Sequence, residues 1–100
     1  MIYQISVPSV ADVEEIRVLE WHGAVGRKFN EGDLVVELET HKAVIEVRAG
    51  RAGVLRKILS EAGNWQNTGM PLALLADDEN EPLPDDASTL ADLPVDFEIT

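Results

Sequence analysis

The sequence predicts an all-β domain, a sandwich or barrel of short strands, and three observations carry that prediction. Apolar and polar residues alternate with period two in several separate runs, as on strands with one buried face. Glycines punctuate those runs at turn-like spacing. A stretch of the chain also repeats itself, so two similar halves must share one core.

Ile2-Tyr3-Gln4-Ile5-Ser6-Val7 alternates and stops at Pro8, which cannot donate to a ladder. Val13 to Trp21 is a longer run of β character. Its first part, from Ala11 to Leu19, lacks the i, i+3, i+4 stripe that a helix would need. Leu34 to Thr40 follows the turn Glu31-Gly32-Asp33, and Ala43 to Val47 ends before Ala49-Gly50-Arg51-Ala52-Gly53. Val54 to Leu59 precedes Ala62-Gly63, and Met70 to Ala76 closes the set. Short strands joined by glycine turns are the pattern of β-sandwiches and barrels.

The repeat has an offset of 37 residues. Gly26-Arg27-Lys28-Phe29-Asn30-Glu31-Gly32 matches Gly63-Asn64-Trp65-Gln66-Asn67-Thr68-Gly69, and Asp33 to Leu38 falls over Met70 to Leu75 in the same apolar phase. Upstream, Ile16-Arg17-Val18 falls over Gly53-Val54-Leu55. The halves are expected to pack on each other with approximate two-fold symmetry, because neither could bury its apolar face alone. The same offset places Glu39-Thr40-His41-Lys42 over Ala76-Asp77-Asp78-Glu79. That puts the lysine turn and the exit from the second half at opposite ends.

Of the net charge of −11, most lies near the C-terminus. Residues 77–100 hold nine acids and no base, which leaves 10 acids against all 8 bases in residues 1–76. The expected organisation is a folded domain over 1–77 and an acidic, Pro-containing tail over 78–100 that is extended and flexible, with a docking strand as its alternative role. Without a basic face, nucleic-acid binding is not expected. No run approaches the length of a membrane span. With no secretory leader at Met1, the compartment expected is cytoplasmic. There are no cysteines, which removes disulfides, thiolate catalysis and zinc–thiolate sites together. No nucleophile elbow, phosphate loop or paired acid and base is present, so the chain is not expected to be an enzyme by itself. A near-neutral body without a sticky stripe is expected to be monomeric.

The most informative segment is Glu39-Thr40-His41-Lys42-Ala43, between two alternating arms. It has no Gly, Asn or Pro to supply ordinary hairpin chemistry. A turn that departs from that chemistry and carries a lysine is where a functional compromise is expected. Glu39 shares a strand face with Val35 and Glu37, opposite Leu34, Val36 and Leu38, and is expected to face solvent. Trp21, Phe29 and Trp65 are expected to be packing or rim residues, and His22 an ordinary loop residue without a metal-ligand cluster.

These residues resemble the lipoyl domains of 2-oxoacid dehydrogenase complexes, whose signature is Glu-Thr-Asp-Lys-Ala. The resemblance covers nearly all of residues 1–77. Ile5-Ser6-Val7-Pro8-Ser9 is similar to the opening strand of that family, and Ala49-Gly50-Arg51-Ala52-Gly53-Val54-Leu55 to its Pro-Ala-x-x-Gly-x-Leu segment. The family's recurrent glutamate three before the lysine, and its glycines sixteen before and eleven after, fall on Glu39, Gly26 and Gly53. The resemblance implies a flattened barrel of two four-stranded antiparallel sheets. It also implies lipoate joined covalently to Lys42 by a lipoate ligase or lipoyltransferase, with Glu39, Thr40, His41, Ala43, Gly26 and Gly53 in recognition. From the residues alone, the two glycines could equally serve only the backbone.

The partners implied are a thiamine-diphosphate 2-oxoacid dehydrogenase, an acyltransferase and a dihydrolipoamide dehydrogenase. The chain would then be a swinging-arm carrier, alone or as part of a dihydrolipoamide acyltransferase. His41 departs from the family's Asp and removes one negative charge beside the lysine. A biotin carrier would have the same fold, but its lysine is usually flanked by methionines, and here the neighbours are His41 and Ala43. The glycine-cleavage H protein also carries lipoate but is usually longer. An unmodified structural or docking module would use the same sandwich without any group on Lys42.

Overall fold

A computed structural model describes residues 1–10, 13–83 and 91–99. Ten strands are found: β1 (Ile2–Ser6), β2 (Glu15–Trp21), β3 (Lys28–Phe29), β4 (Leu34–Glu39), β5 (Val44–Ala49), β6 (Gly53–Ile58), β7 (Trp65–Asn67), β8 (Pro71–Ala76), β9 (Ala91–Asp92) and β10 (Val95–Ile99). They form two sheets, in the order β3-β6-β8-β1-β9 and β10-β5-β4-β2-β7. All neighbours are antiparallel except β9, which runs parallel to β1. The sheets face each other over Ile5, Ile16, Val18, Phe29, Leu38, Ile45, Val47, Leu55, Leu72 and Leu75, nearly all fully buried. The body is flattened, with extents of 39 × 26 × 20 Å.

The two-fold relation is visible in the backbone hydrogen bonds. The Gly26 amide donates to Leu55 O at 2.7 Å, and Leu55 N to Arg27 O at 2.9 Å. In the other half Gly63 N donates to Val18 O at 2.7 Å, and Val18 N to Asn64 O at 2.8 Å. Gly32 N reaches Ala49 O and Gly69 N reaches Val7 O in the same way, and each of these four glycines has φ between 86° and 103°. Each bond of the first two pairs joins one half of the sequence to a strand of the other. The alternating runs account for β1, β2, β4 and β5, and the short runs bounded by glycine turns for β6 and β8, while β3 and β7 are too short for a period to be read from them.

One strand face differs from its alternation. A bulge between Leu34 and Val36 turns Val35 inward, so Val35, Val36 and Leu38 are all fully buried. Glu37 and Glu39, beyond the bulge, stay partly exposed as their phase predicts.

The acidic C-terminal segment is more structured than its composition suggests. β9 lies along β1, and the Leu93 amide donates to Gln4 O at 2.8 Å. The Leu93 side chain is 2% exposed and belongs to the core. The backbone then crosses between the sheets, where Gly50 N donates to Pro94 O at 2.7 Å. β10 follows β5 from Val95 opposite Ala49 to Ile99 opposite Ile45. The Asp92 carboxylate accepts bonds from Gln4 Nε2 and Ser6 Oγ at 3.2 and 3.0 Å. Residues 91–99 thus form a strap that caps the open edges of β1 and β5. Charge counting misses it because one apolar residue at Leu93 and an alternation at Val95, Phe97 and Ile99 suffice. The part of the expected tail over 84–90 lies outside the described residues.

At the opposite pole from the β4–β5 turn, β8 ends at Ala76 opposite Val54. There the amino-terminal ammonium pairs with Glu81 at 2.5 Å and Asp77 at 3.3 Å, and the hydrogen bond it donates to Glu81 is the main reason its pKa is raised.

The strap gives a stability prediction. Leu93→Ala should cost about 2–4 kcal/mol, because it empties a core position, while the half-exposed Phe97→Ala should cost less. Gly50→Ala should also destabilise, since a Cβ there would stand 2.5 Å from Pro94 O and 2.8 Å from its carbonyl carbon. Urea unfolding of the three variants checks this, and equal small losses would show that the strap does not contribute.

Candidate functional site

The β4–β5 turn is built around one hydroxyl. Thr40 N donates to Ala43 O at 2.9 Å, closing the turn. Thr40 Oγ1 accepts from Lys42 N at 3.2 Å and from Ala43 N at 3.1 Å. A threonine side chain therefore supplies the acceptor that turn backbone needs, which explains how the hairpin dispenses with Asn-Gly. The result is a braced tip. His41 and Lys42 are exposed, while Thr40 and Ala43 are half-buried. Among the described residues the Lys42 ammonium has no hydrogen bond or ion pair.

The carboxylate nearest in sequence is already engaged. Glu39 is the cross-strand neighbour of Arg17, whose Nη1 lies 3.3 Å from Glu39 Oε1. Arg17 in turn lies opposite Trp65, so a row on the outer face runs Trp65, Arg17, Glu39, Val44 across β7, β2, β4 and β5. The Trp65 indole reaches the hairpin tip, with its ring centroid 5.9 Å from that of His41 and an angle of 32° between the planes.

The expected recognition residues therefore divide. Glu39, Thr40, His41, Lys42 and Ala43 are together at one end. Gly26 and Gly53 belong to the other sheet: Gly26 lies in the turn before β3 and bonds to Leu55 of β6, and Gly53 opens β6 opposite Phe29, after the chain has descended β5 away from the hairpin. Gly26 has positive φ, but so does its counterpart Gly63, as expected of a requirement of each half of the fold. Gly53 is buried with ordinary φ, and a Cβ there would meet Leu75 at 3.5 Å and Ala76 O at 3.6 Å.

Sequence reasoning missed Arg17 and Trp65 as neighbours of the turn. Phe29 is fully buried and Trp21 is half-buried with its Nε1 donating to Ser60 O at 2.9 Å, so both are packing residues, whereas Trp65 is 46% exposed. The only hint was the repeat, which sets Trp65 over Lys28.

His22 is also better connected than its sequence context indicates. Its Nε2 lies 2.6 Å from Glu37 Oε1 and 3.9 Å from Glu20 Oε2, because register places Glu20 opposite Glu37. The row continues to Glu46 and Glu98, so four glutamates adjoin across the sheet. Like charges in such positions repel, and His22 and Arg48, 3.5 Å from Glu46, interrupt the row. Contrary to the expectation of no metal-ligand cluster at His22, Glu20, His22 and Glu37 bring three possible ligand atoms within 4.8 Å of one another, because the β2–β4 register sets the two glutamates side by side.

Residues 3–75 match the biotin/lipoyl family, whose description reads "Biotin-requiring enzyme". The chain belongs to this family. Its relatives there include the dihydrolipoyllysine-residue succinyltransferase component of the 2-oxoglutarate dehydrogenase complex of Staphylococcus saprophyticus, 33% identical over 74% of this chain and 18% of the relative. Protein X component of the pyruvate dehydrogenase complex of Saccharomyces cerevisiae is 34% identical over 84% of this chain and 22% of its own length. The dihydrolipoyllysine-residue acetyltransferase component of the pyruvate dehydrogenase complex of Cupriavidus necator is 32% identical over 72% and 13%. The chain thus spans about a fifth or less of the length of these relatives. The family match takes in β1 to β8 almost completely and stops before the strap. Among the described residues no helix is long and apolar enough to cross a membrane.

The turn's bracing makes a prediction. Thr40→Val removes an acceptor shared by two amides and should cost about 0.5–1.5 kcal/mol, with faster hydrogen exchange at Lys42 and Ala43. Thr40→Ser should retain both. Exchange rates unchanged in Thr40→Val would show that the hydroxyl does not hold the tip.

Proposed function

We propose that this chain is a swinging-arm carrier domain with lipoate in amide linkage to Lys42, serving a 2-oxoacid dehydrogenase complex. The observation that carries the reading is the unpaired ammonium of Lys42 at the tip of a hairpin braced from within. A modifying enzyme needs an accessible amine at a defined place, and a rigid turn supplies both. The Lys42 Nζ, having given up a proton, forms a bond to the carboxyl carbon of a lipoyl group that the attaching enzyme has activated, the bond from that carbon to its leaving group breaks, and the amide that results has no charge. The bound group supplies the redox and acyl chemistry through its dithiolane, which is how a chain without cysteine could take part in thiol chemistry.

The protein's part is presentation. Thr40 fixes the direction of the tip, and Arg17 holds the Glu39 carboxylate away from Lys42. The partners are a lipoate ligase or lipoyltransferase for attachment, then the thiamine-diphosphate dehydrogenase, the acyltransferase and the dihydrolipoamide dehydrogenase. Tethering keeps an intermediate at high effective concentration near each active site, so the carrier itself needs no catalytic group. Biotin on the same lysine is the second reading. His41 and Ala43 flank Lys42 where biotin carriers usually have methionines, and two of the relatives named above carry dihydrolipoyllysine in their names.

Intact mass after expression with lipoate and a lipoate ligase tests this, with Lys42→Arg alongside. A gain of one lipoyl group in the wild type alone is expected, and a gain in Lys42→Arg would remove the site assignment. No lipoyl gain, with a biotinyl gain under biotin ligase, would transfer the chain to the second reading. His41→Asp should be modified as well as the wild type or better, and a clear loss would mean that a partner requires the histidine.

A further inference from the structure

We propose that Trp65, with the His41 ring tilted against it, is a resting surface for the apolar arm borne by Lys42. The proposal rests on Lys42 carrying lipoate, and four observations lead to it. Trp65 is 46% exposed on the edge strand β7, and among the described residues its one ring contact is with His41, the residue before Lys42. The fold does not demand an indole there. The repeat supplies an internal comparison: Lys28 occupies the equivalent position on β3, opposite Val54 as Trp65 is opposite Arg17, and Lys28 is exposed. The carboxylate of Glu39 is occupied by Arg17, so the nearest acid on that row is not free to draw the Lys42 side chain toward it. Acylation then removes the one charge on that side chain.

The chemistry of the group fits this surface. A chain of methylenes ending in a dithiolane is apolar and polarizable, and sulfur packs favourably against aromatic rings. Trp65 offers a large, rigid aromatic face at little cost in conformational freedom. Since the indole is only half covered, the contact is shallow and the arm can leave it for a partner's active site. His41 helps to hold the indole toward the hairpin through this tilted ring contact, which a carboxylate at this position could not make. The histidine that departs from the family signature is thus a positioning residue for the platform.

Trp65→Phe leaves Trp21 as the one remaining indole, so fluorescence isolates the contact. The experiment compares tryptophan emission of the unmodified and Lys42-lipoylated proteins, with modification established by intact mass. Emission should fall on lipoylation and recover in part when a phosphine opens the dithiolane. Both changes should vanish in Trp65→Phe and shrink in His41→Ala. Proton cross-peaks between the Trp65 ring and the arm methylenes should appear in the modified protein. Full modification with unchanged emission and no cross-peaks would overturn the proposal while leaving the carrier function intact. The same emission change in Trp65→Phe would place the arm elsewhere. Absence of a lipoyl gain would remove the carrier reading and this inference with it.

Discussion

The amide bonds that cross between the two halves of the chain hold the fold in place. Gly26 donates to Leu55 and Gly63 to Val18, so the first repeat completes a sheet belonging to the second and the second completes a sheet belonging to the first. Neither half owns a whole sheet. Folding of either half therefore needs the other, and the core residues Val18 and Leu55 stand at the points of exchange. The hairpin benefits directly. Its strands β4 and β5 are flanked by β2 on one side and β10 on the other, so the tip projects from the middle of a sheet rather than from its edge.

A rigid base matters for a residue proposed to carry a mobile arm. The tip is braced by Thr40, and the row of Trp65, Arg17 and Glu39 beside it draws on three strands from both repeats. Duplication also separates structural demands from local ones. Gly26 and Gly63 are alike in bonding and backbone angle, whereas Lys28 and Trp65 differ although their strands are equivalent. One position where the repeats differ, Trp65 over Lys28, lies against His41, the residue before the lysine.

Much of this was legible in the sequence. Period-two alternation and glycine-bounded apolar runs located six of the strands, matched glycines revealed the two-fold relation, and the missing turn residues drew attention to Lys42. The rest escaped for identifiable reasons. β3 and β7, of two and three residues, show no period. Val35 is turned inward by a bulge, a feature set by the partner strand rather than by its neighbours in sequence. The contact between His41 and Trp65 joins distant segments of chain, and nothing local to either predicts it. The strap was hidden by its acidity, because charge counts weigh every residue while Leu93 acts by filling a single slot.

That strap bears on where the domain can be cut. The repeat ends at Ala76, but the edges of β1 and β5 are covered by residues 91–99, and Leu93 fills a place between them. A fragment ending at the close of the repeat would present two bare strand edges and an unfilled notch, which is a template for pairing between molecules. The strap therefore covers two edges that would otherwise be open to pairing.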